Sequence, residues 1–212
     1  MTEENSSLKQ IIDFRLEKLE KLRENRVNPY PYSYTVSHKS EEIFNDEKKL
    51  EGKTVSVAGR IMSLRRMGKA SFCHVQDADG RIQANVRRDD VGIDSYTNFK
   101  LLDIGDILGV EGYVFKTQTG ETSIHATVLT ILSKSIRPIP IVKEKEGEEF
   151  DSFVDKELRY RNRQLDLVVN HDVIKTFIKR AQSRSSIRQF LENDGFIEVE
   201  TPVLQPLYGG AN

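Results

Sequence analysis

From Lys53 onward, apolar and polar residues alternate with a period of two, and the pattern is clearest between Phe72 and Val86. Asp77-Ala78-Asp79-Gly80 interrupts it with turn residues, which predicts a β-hairpin, Gly80 supplying the positive φ that tight turns need. Folded about that turn, Gln76 faces Arg81, Val75 faces Ile82, His74 faces Gln83, Cys73 faces Ala84 and Phe72 faces Asn85. One face then carries Cys73, Val75, Ile82, Ala84 and Val86. The other carries Phe72, His74, Gln76, Arg81, Gln83 and Asn85. A large aromatic among amide and cationic side chains has the character of a stacking platform for an unpaired base.

The same period predicts strands over 53–66, 69–76, 81–88, 106–117 and 121–132, with a short helix near 95–103 after the third. Five strands, a long first one and a helix after the third match the Greek-key barrel that binds oligonucleotides, the OB-fold, whose second and third strands form the usual ligand face. Gly59, Gly109 and Gly112 suit the bends of so small a barrel. Before it, Leu8, Ile11, Ile12, Leu19 and Leu22 recur at helical spacing, so residues 7–26 predict an amphipathic helix docked on the chain's own body, capped by Ser7 and Gln10. Asn28-Pro29-Tyr30-Pro31-Tyr32 stops it, and a second short helix is expected over 37–50.

Beyond the barrel, Arg137-Pro138-Ile139-Pro140 and the charged run that follows read as a linker. Residues 155–169 and 172–194 predict helices, the second with Ile174, Phe177, Ile178, Ala181, Ile187, Phe190 and Leu191 as its apolar face and Gly195 as its cap. Phe196 to Pro202 reads as a short strand. The expected organisation is α+β: an N-terminal helical extension (1–50), a five-stranded OB barrel (51–135), a linker (136–154) and a further domain from 155 to 212. A strand without a partner and a helix with nothing to pack on lead us to expect that this last domain is cut off near its start.

Composition narrows the function. The 212 residues hold 32 Lys and Arg against 33 Asp and Glu, so only local charge is informative. Lys53 to Arg88 contains eight basic residues and two acidic ones, whereas Glu144 to Glu157 contains seven acidic ones. A basic patch on a neutral chain suits an anionic partner held at one site. The single cysteine, Cys73, excludes an intrachain disulfide and falls on the core face, and no Cys/His spacing suits zinc. The polar amino terminus is wrong for a presequence and no apolar run approaches membrane-spanning length, so a soluble cytoplasmic protein is expected. There is no P-loop, GxGxxG or HExxH, and no catalytic or metal-ligating set.

Taken together, several segments resemble the bacterial-type class II lysine–tRNA ligases. They are Asn28-Pro29-Tyr30, Val57-Ala58-Gly59-Arg60, Arg65 with Met67-Gly68-Lys69-Ala70-Ser71-Phe72, Gly80-Arg81-Ile82-Gln83, Gly105-Asp106-Ile107, Phe115-Lys116-Thr117, Thr119-Gly120-Glu121, Arg159-Tyr160-Arg161, Leu165-Asp166-Leu167 and Gly195 through Pro202, in the family's order. The resemblance implies ATP-dependent attachment of lysine to its tRNA through lysyl-adenylate, by a homodimer using magnesium. It implies that the barrel holds the anticodon: Phe72 stacking on a central uracil, Gln83 bonding its edge, Arg65 holding the same nucleotide and Glu121 contacting a neighbouring one. His74, Asn85 and Lys69 are further candidates for tRNA contact. The helix from 172 and the strand ending at Pro202 resemble motif 1, the dimer-interface motif, and Gly210 matches the loop at the lysine pocket. The residues that bind ATP, magnesium and the lysine side chain in the family have no counterpart in the 212 residues. The alternatives are an aspartate or asparagine–tRNA ligase of the same subclass and a free-standing single-strand-binding barrel.

Overall fold

A computed structural model describes residues 3–140, 143–145, 148–150, 153–204 and 209. The chain divides into two compact units, 1–139 and 140–212.

In the first unit β1 (Thr54–Met67), β2 (Ala70–Gln76), β3 (Arg81–Arg87), β4 (Ile107–Lys116) and β5 (Thr122–Ser133) close a barrel in the order β1-β2-β3-β5-β4. All pairs are antiparallel except β3 with β5, a short parallel contact of Gln83 with Ser123, Ala84 with Ile124 and Asn85 with His125. The β2–β3 register is the one the alternation predicts, from Gln76 opposite Arg81 to Phe72 opposite Asn85. Its apolar face is interior: Cys73, Val75, Ile82, Ala84 and Val86 are buried with Val55, Val57, Ile61, Leu108, Val110 and Ile124. Burial pushes the Cys73 thiol up to about 12, so it behaves as a small hydrophobe.

Three local expectations need correction. The β2–β3 turn does not rely on a positive φ at Gly80. The Asp77 carboxylate holds it instead, accepting from the Asp79 and Gly80 N–H groups and from the Ser40 backbone and hydroxyl. A Cβ on Gly80 would lie 3.1 Å from Ser40 Oγ. Positive φ belongs to the β1–β2 turn, where Gly68 sits at 57° in a two-residue connection. Second, Gly59, Gly109 and Gly112 mark close approaches of the backbone: a Cβ on Gly112 would fall 1.9 Å from the His125 carbonyl oxygen, beside a bulge in the β4–β5 ladder.

The third correction concerns the leading helix, α1 (Glu3–Glu24), which begins ahead of Ser7 and so leaves that residue within the helix. Only the carboxyl half of its apolar stripe is covered. Leu19 and Leu22 are buried, whereas Leu8 and Ile11 are exposed. Much of the docking is polar: the Arg15 guanidinium donates to the carbonyls of Ile104, Ser135 and Arg137, and Lys18 pairs with Asp103 at 2.5 Å. The helix also ends before the proline run. The N–H of Val27 bonds the Leu22 carbonyl and that of Arg26 bonds the Arg23 carbonyl, a Schellman ending with Arg26 at a φ of 59°. The expected second helix is two single turns, α2 (Ser40–Asn45) and α3 (Glu47–Leu50), and α4 (Arg88–Val91) and α5 (Ile93–Phe99) follow β3.

In the second unit, a short hairpin of β6 (Lys143–Lys145) and β7 (Glu148–Phe150) lies in the charged run. The expected 155–169 helix is split at Asn162 into α6 (Lys156–Arg161) and α7 (Arg163–Val169). Buried Asp166 gathers Arg159, Arg163 and Asn170 around its carboxylate. The longest helix, α8 (His171–Asn193), ends at Gly195 with φ 89°. Residues 196–202 form no strand, because no described residue pairs with them, and Arg188 of α8 holds Glu198 through two bonds of 2.6 and 2.9 Å.

Candidate nucleic-acid interface

Two rows of side chains cross the outer face of the barrel at neighbouring register positions. The first runs Arg65, Phe72, Asn85, His125, Tyr113; the second runs Ser63, His74, Gln83, Ser123, Phe115. The ladder therefore brings together residues from all five strands. Between them lies an open groove of about 510 Å³, lined by Arg65, Phe72, His74, Gln83, Asn85 and Glu121 together with Ser63, Arg87, Phe115 and the 117–119 loop.

Phe72 is half-buried and lines the groove. Gln83 and His74 are tied to Glu121, which precedes β5. The Gln83 amide nitrogen donates to Glu121 Oε2 at 2.7 Å, and His74 Nε2 lies 3.1 Å from Oε1. A carboxylate can only accept, so Nε2 of His74 carries the proton, and in the neutral ring Nδ1 accepts from Ser63 Oγ at 2.7 Å. Ser123 Oγ donates to Gln83 Oε1 at 3.3 Å. The hydrogen bonds thus form two arms, Ser63–His74 and Ser123–Gln83, that converge on the Glu121 carboxylate.

Asn85 departs from its expected place on a wet surface. It is only 4% exposed, and its Oδ1 has no hydrogen-bond partner among the described residues. A buried acceptor left unpaired is costly, and inside a binding groove it marks a place where a ligand donor would be favoured. Beside it His125, also buried, bonds Asp90 at 2.7 Å and stacks on Tyr113 with ring centroids 4.6 Å apart; Phe115 meets the same imidazole edge-on.

The basic residues of this stretch divide by role. Arg60 and Arg66 donate to the backbone carbonyls of Gly105 and Leu102, Arg81 bonds Gln76, and Arg88 pairs with Asp89. Arg65 and Arg87 line the groove. Lys69 is exposed in the β1–β2 turn, outside the groove lining. Pro202 lies exposed after α8, and Gly210 is outside the described residues. Sequence reasoning missed Ser63 and Phe115 as parts of the groove, and fully buried Ser123, outside its lining, as a partner of Gln83. Alternation could have placed each on an outward face, but only the β3–β5 pairing puts Ser123 and Phe115 beside Gln83.

Comparison with known proteins accounts for both units. Residues 55–132 match the family of OB-fold nucleic acid binding domains, and residues 155–212 match the class II tRNA synthetases of the D, K and N type. Along nearly its whole length, 98%, the chain is 46% identical to a lysine–tRNA ligase of Carboxydothermus hydrogenoformans, and over 93% it is 51% identical to one of Porphyromonas gingivalis. The chain is thus similar along nearly all of its length to lysine–tRNA ligases. It spans 41% and 36% of the length of these two ligases. Among the described residues no helix is long and apolar enough to cross a membrane. Nor does any group of three or more His, Cys, Asp or Glu side chains stand ready for a metal ion there.

Proposed function

We propose that this chain supplies the anticodon-binding part of an ATP-dependent lysine–tRNA ligase. The observation that carries the reading is the groove itself, where an aromatic ring, an oriented amide and two arginines share one open face of an OB barrel. Single-stranded loops offer unstacked bases that are read by stacking and by hydrogen bonds to their edges, and phosphate attraction adds affinity without sequence information. In this reading Phe72 stacks on the central anticodon uracil, Gln83 bonds its edge and Arg65 holds the same nucleotide. Glu121, His74 and Asn85 complete the wall, and Lys69 meets the RNA backbone outside it.

The whole polypeptide would join lysine and ATP into lysyl-adenylate and pass lysine to the 3′ end of its tRNA in the cytoplasm. The domain division is 1–50, 51–135, 136–154 and 155–212 as read from the pattern. Gly210 would meet the α-amino group of lysine. ATP and magnesium would be held by residues this chain does not contain. The α8 helix with residues 196–202 would form part of a homodimer interface, as its exposed Ile187, Phe190, Phe196, Ile197 and Val199 suggest.

Binding of RNA hairpins that carry the lysine anticodon tests this reading. The chain should bind them more tightly than hairpins of the same stem whose anticodon lacks the central uracil. Equal binding of all hairpins would sink it in favour of a general single-strand binder, and charging assays with the full-length polypeptide and each purified tRNA would separate lysine from aspartate and asparagine. The 212-residue chain alone should show no lysine-dependent pyrophosphate exchange.

A further inference from the structure

A primary amide can meet a pyrimidine in two opposite ways. With its oxygen toward N3–H and its nitrogen toward O4 it complements uracil; with the two ends exchanged it complements cytosine, whose N3 accepts and whose N4 donates. An amide free to rotate would serve both bases. Taking the groove as an anticodon site, we propose that Glu121 is a positioning residue that holds the Gln83 amide in one orientation and thereby makes the groove select uracil over cytosine.

The geometry supplies the reason. Glu121 Oε2 accepts from Gln83 Nε2 at 2.7 Å. Turning the amide over would set Gln83 Oε1 against a carboxylate oxygen at that distance, two acceptors with no proton between them. Ser123 Oγ touches the other end of the amide at 3.3 Å, but a hydroxyl can donate or accept and so does not choose between the orientations. Glu121 is itself held. Its second oxygen faces His74 Nε2, its backbone N–H donates to Thr117 Oγ1 at 3.0 Å, and its carbonyl accepts from Thr117 N–H at 2.9 Å. Gln83 keeps one N–H and one lone pair for a base, in an order fixed before the base arrives.

The test uses the full 212-residue chain and two RNA hairpins that differ only in uracil or cytosine at the middle anticodon position. The variant is Glu121→Gln, which keeps the shape of the side chain but can donate or accept and so opposes neither amide orientation. Wild type should prefer the uracil hairpin by about tenfold or more, the scale of a bidentate base contact. The variant should bring the ratio within about threefold, mainly by binding cytosine more tightly. The Gln83 side-chain amide resonances should shift in the unliganded variant, whereas Phe72→Ala should leave their pattern unchanged. A variant that keeps the wild-type ratio overturns the proposal. So does one that loses uracil binding with no gain on cytosine, because that marks Glu121 as a direct contact only. If wild type binds neither hairpin, the anticodon reading fails first and this proposal with it.

Discussion

Phe72 and Cys73 are adjacent in the chain and opposite in role. The pleat of β2 points one side chain into the groove and the other into the barrel interior, where Cys73 is fully buried. Phe72→Ala should weaken binding of a lysine-anticodon hairpin by about 1–3 kcal/mol, the usual loss of a stacked base. It should lower stability by less than the roughly 3–5 kcal/mol expected for a fully buried Phe. Cys73→Phe should do the reverse, overpacking the core by about 1–3 kcal/mol and affecting RNA only through lost folded protein. Binding isotherms and melting curves for both variants separate the two roles. Losing the neutral ring should leave the salt dependence of affinity unchanged, whereas Arg65→Ala should flatten it if the guanidinium meets phosphate.

Two junctions govern how α1 joins the barrel. At its carboxyl end Arg26 takes a left-handed conformation that costs a non-glycine residue roughly 1–2 kcal/mol. Arg26→Gly should therefore raise stability by about 0.5–1 kcal/mol, the gain being trimmed by glycine's freer unfolded chain, as a denaturant midpoint would show. Along its side, Lys18 reaches Asp103, and fully covered Lys134 bridges Asp103 and Asp106 at 2.7 and 2.8 Å. Burial alone would raise the Asp103 carboxyl, but the hydrogen bonds from Lys134 and Lys18 outweigh it and hold the group below its ordinary value. A depressed carboxyl contributes stability above its unfolded value of about 3.9, and that contribution is lost as pH falls through the folded value. Stability should thus decline below about pH 4, and Asp103→Asn should flatten the decline. Lys134→Met would take from buried Asp106 the cation it shares with Asp103, while Asp103 keeps Lys18, at a cost of about 3–5 kcal/mol.

Across the whole molecule, the unit 1–139 holds one hydrophobic core that joins Leu22 of α1, Ile43 of α2 and Phe99 of α5 to the interior of a barrel that closes its own edges. Residues 1–139 should fold alone, with the melting temperature of the barrel little changed from that in the longer chain. Residues 156–212 should be poorly ordered alone, because Phe190, Phe196, Ile197 and Val199 are exposed and 196–202 has no ladder partner among the described residues. Slow amide exchange across 196–200 in the isolated segment would contradict this.

The sequence by itself determined the parts that rest on local periodicity. A period of two separates core from groove residues within β2 and β3, and the hairpin register follows because a one-residue slip would turn every apolar side chain outward. The family-bearing segments are equally a property of the order of residues. Tertiary structure decided what depends on partners distant in the chain. The parallel β3–β5 contact brings Ser123 and Phe115 to Gln83, buries Asn85 and sets Glu121 where it orients an amide 38 residues earlier. It also spent Arg60 and Arg66 on carbonyls, replaced a glycine turn by an aspartate one, and docked α1 through Arg15 and Lys18 where the apolar stripe alone predicted contact. Periodicity reports which face of an element is apolar; hydrogen bonds between distant segments have no period, and only the folded chain assigns their partners.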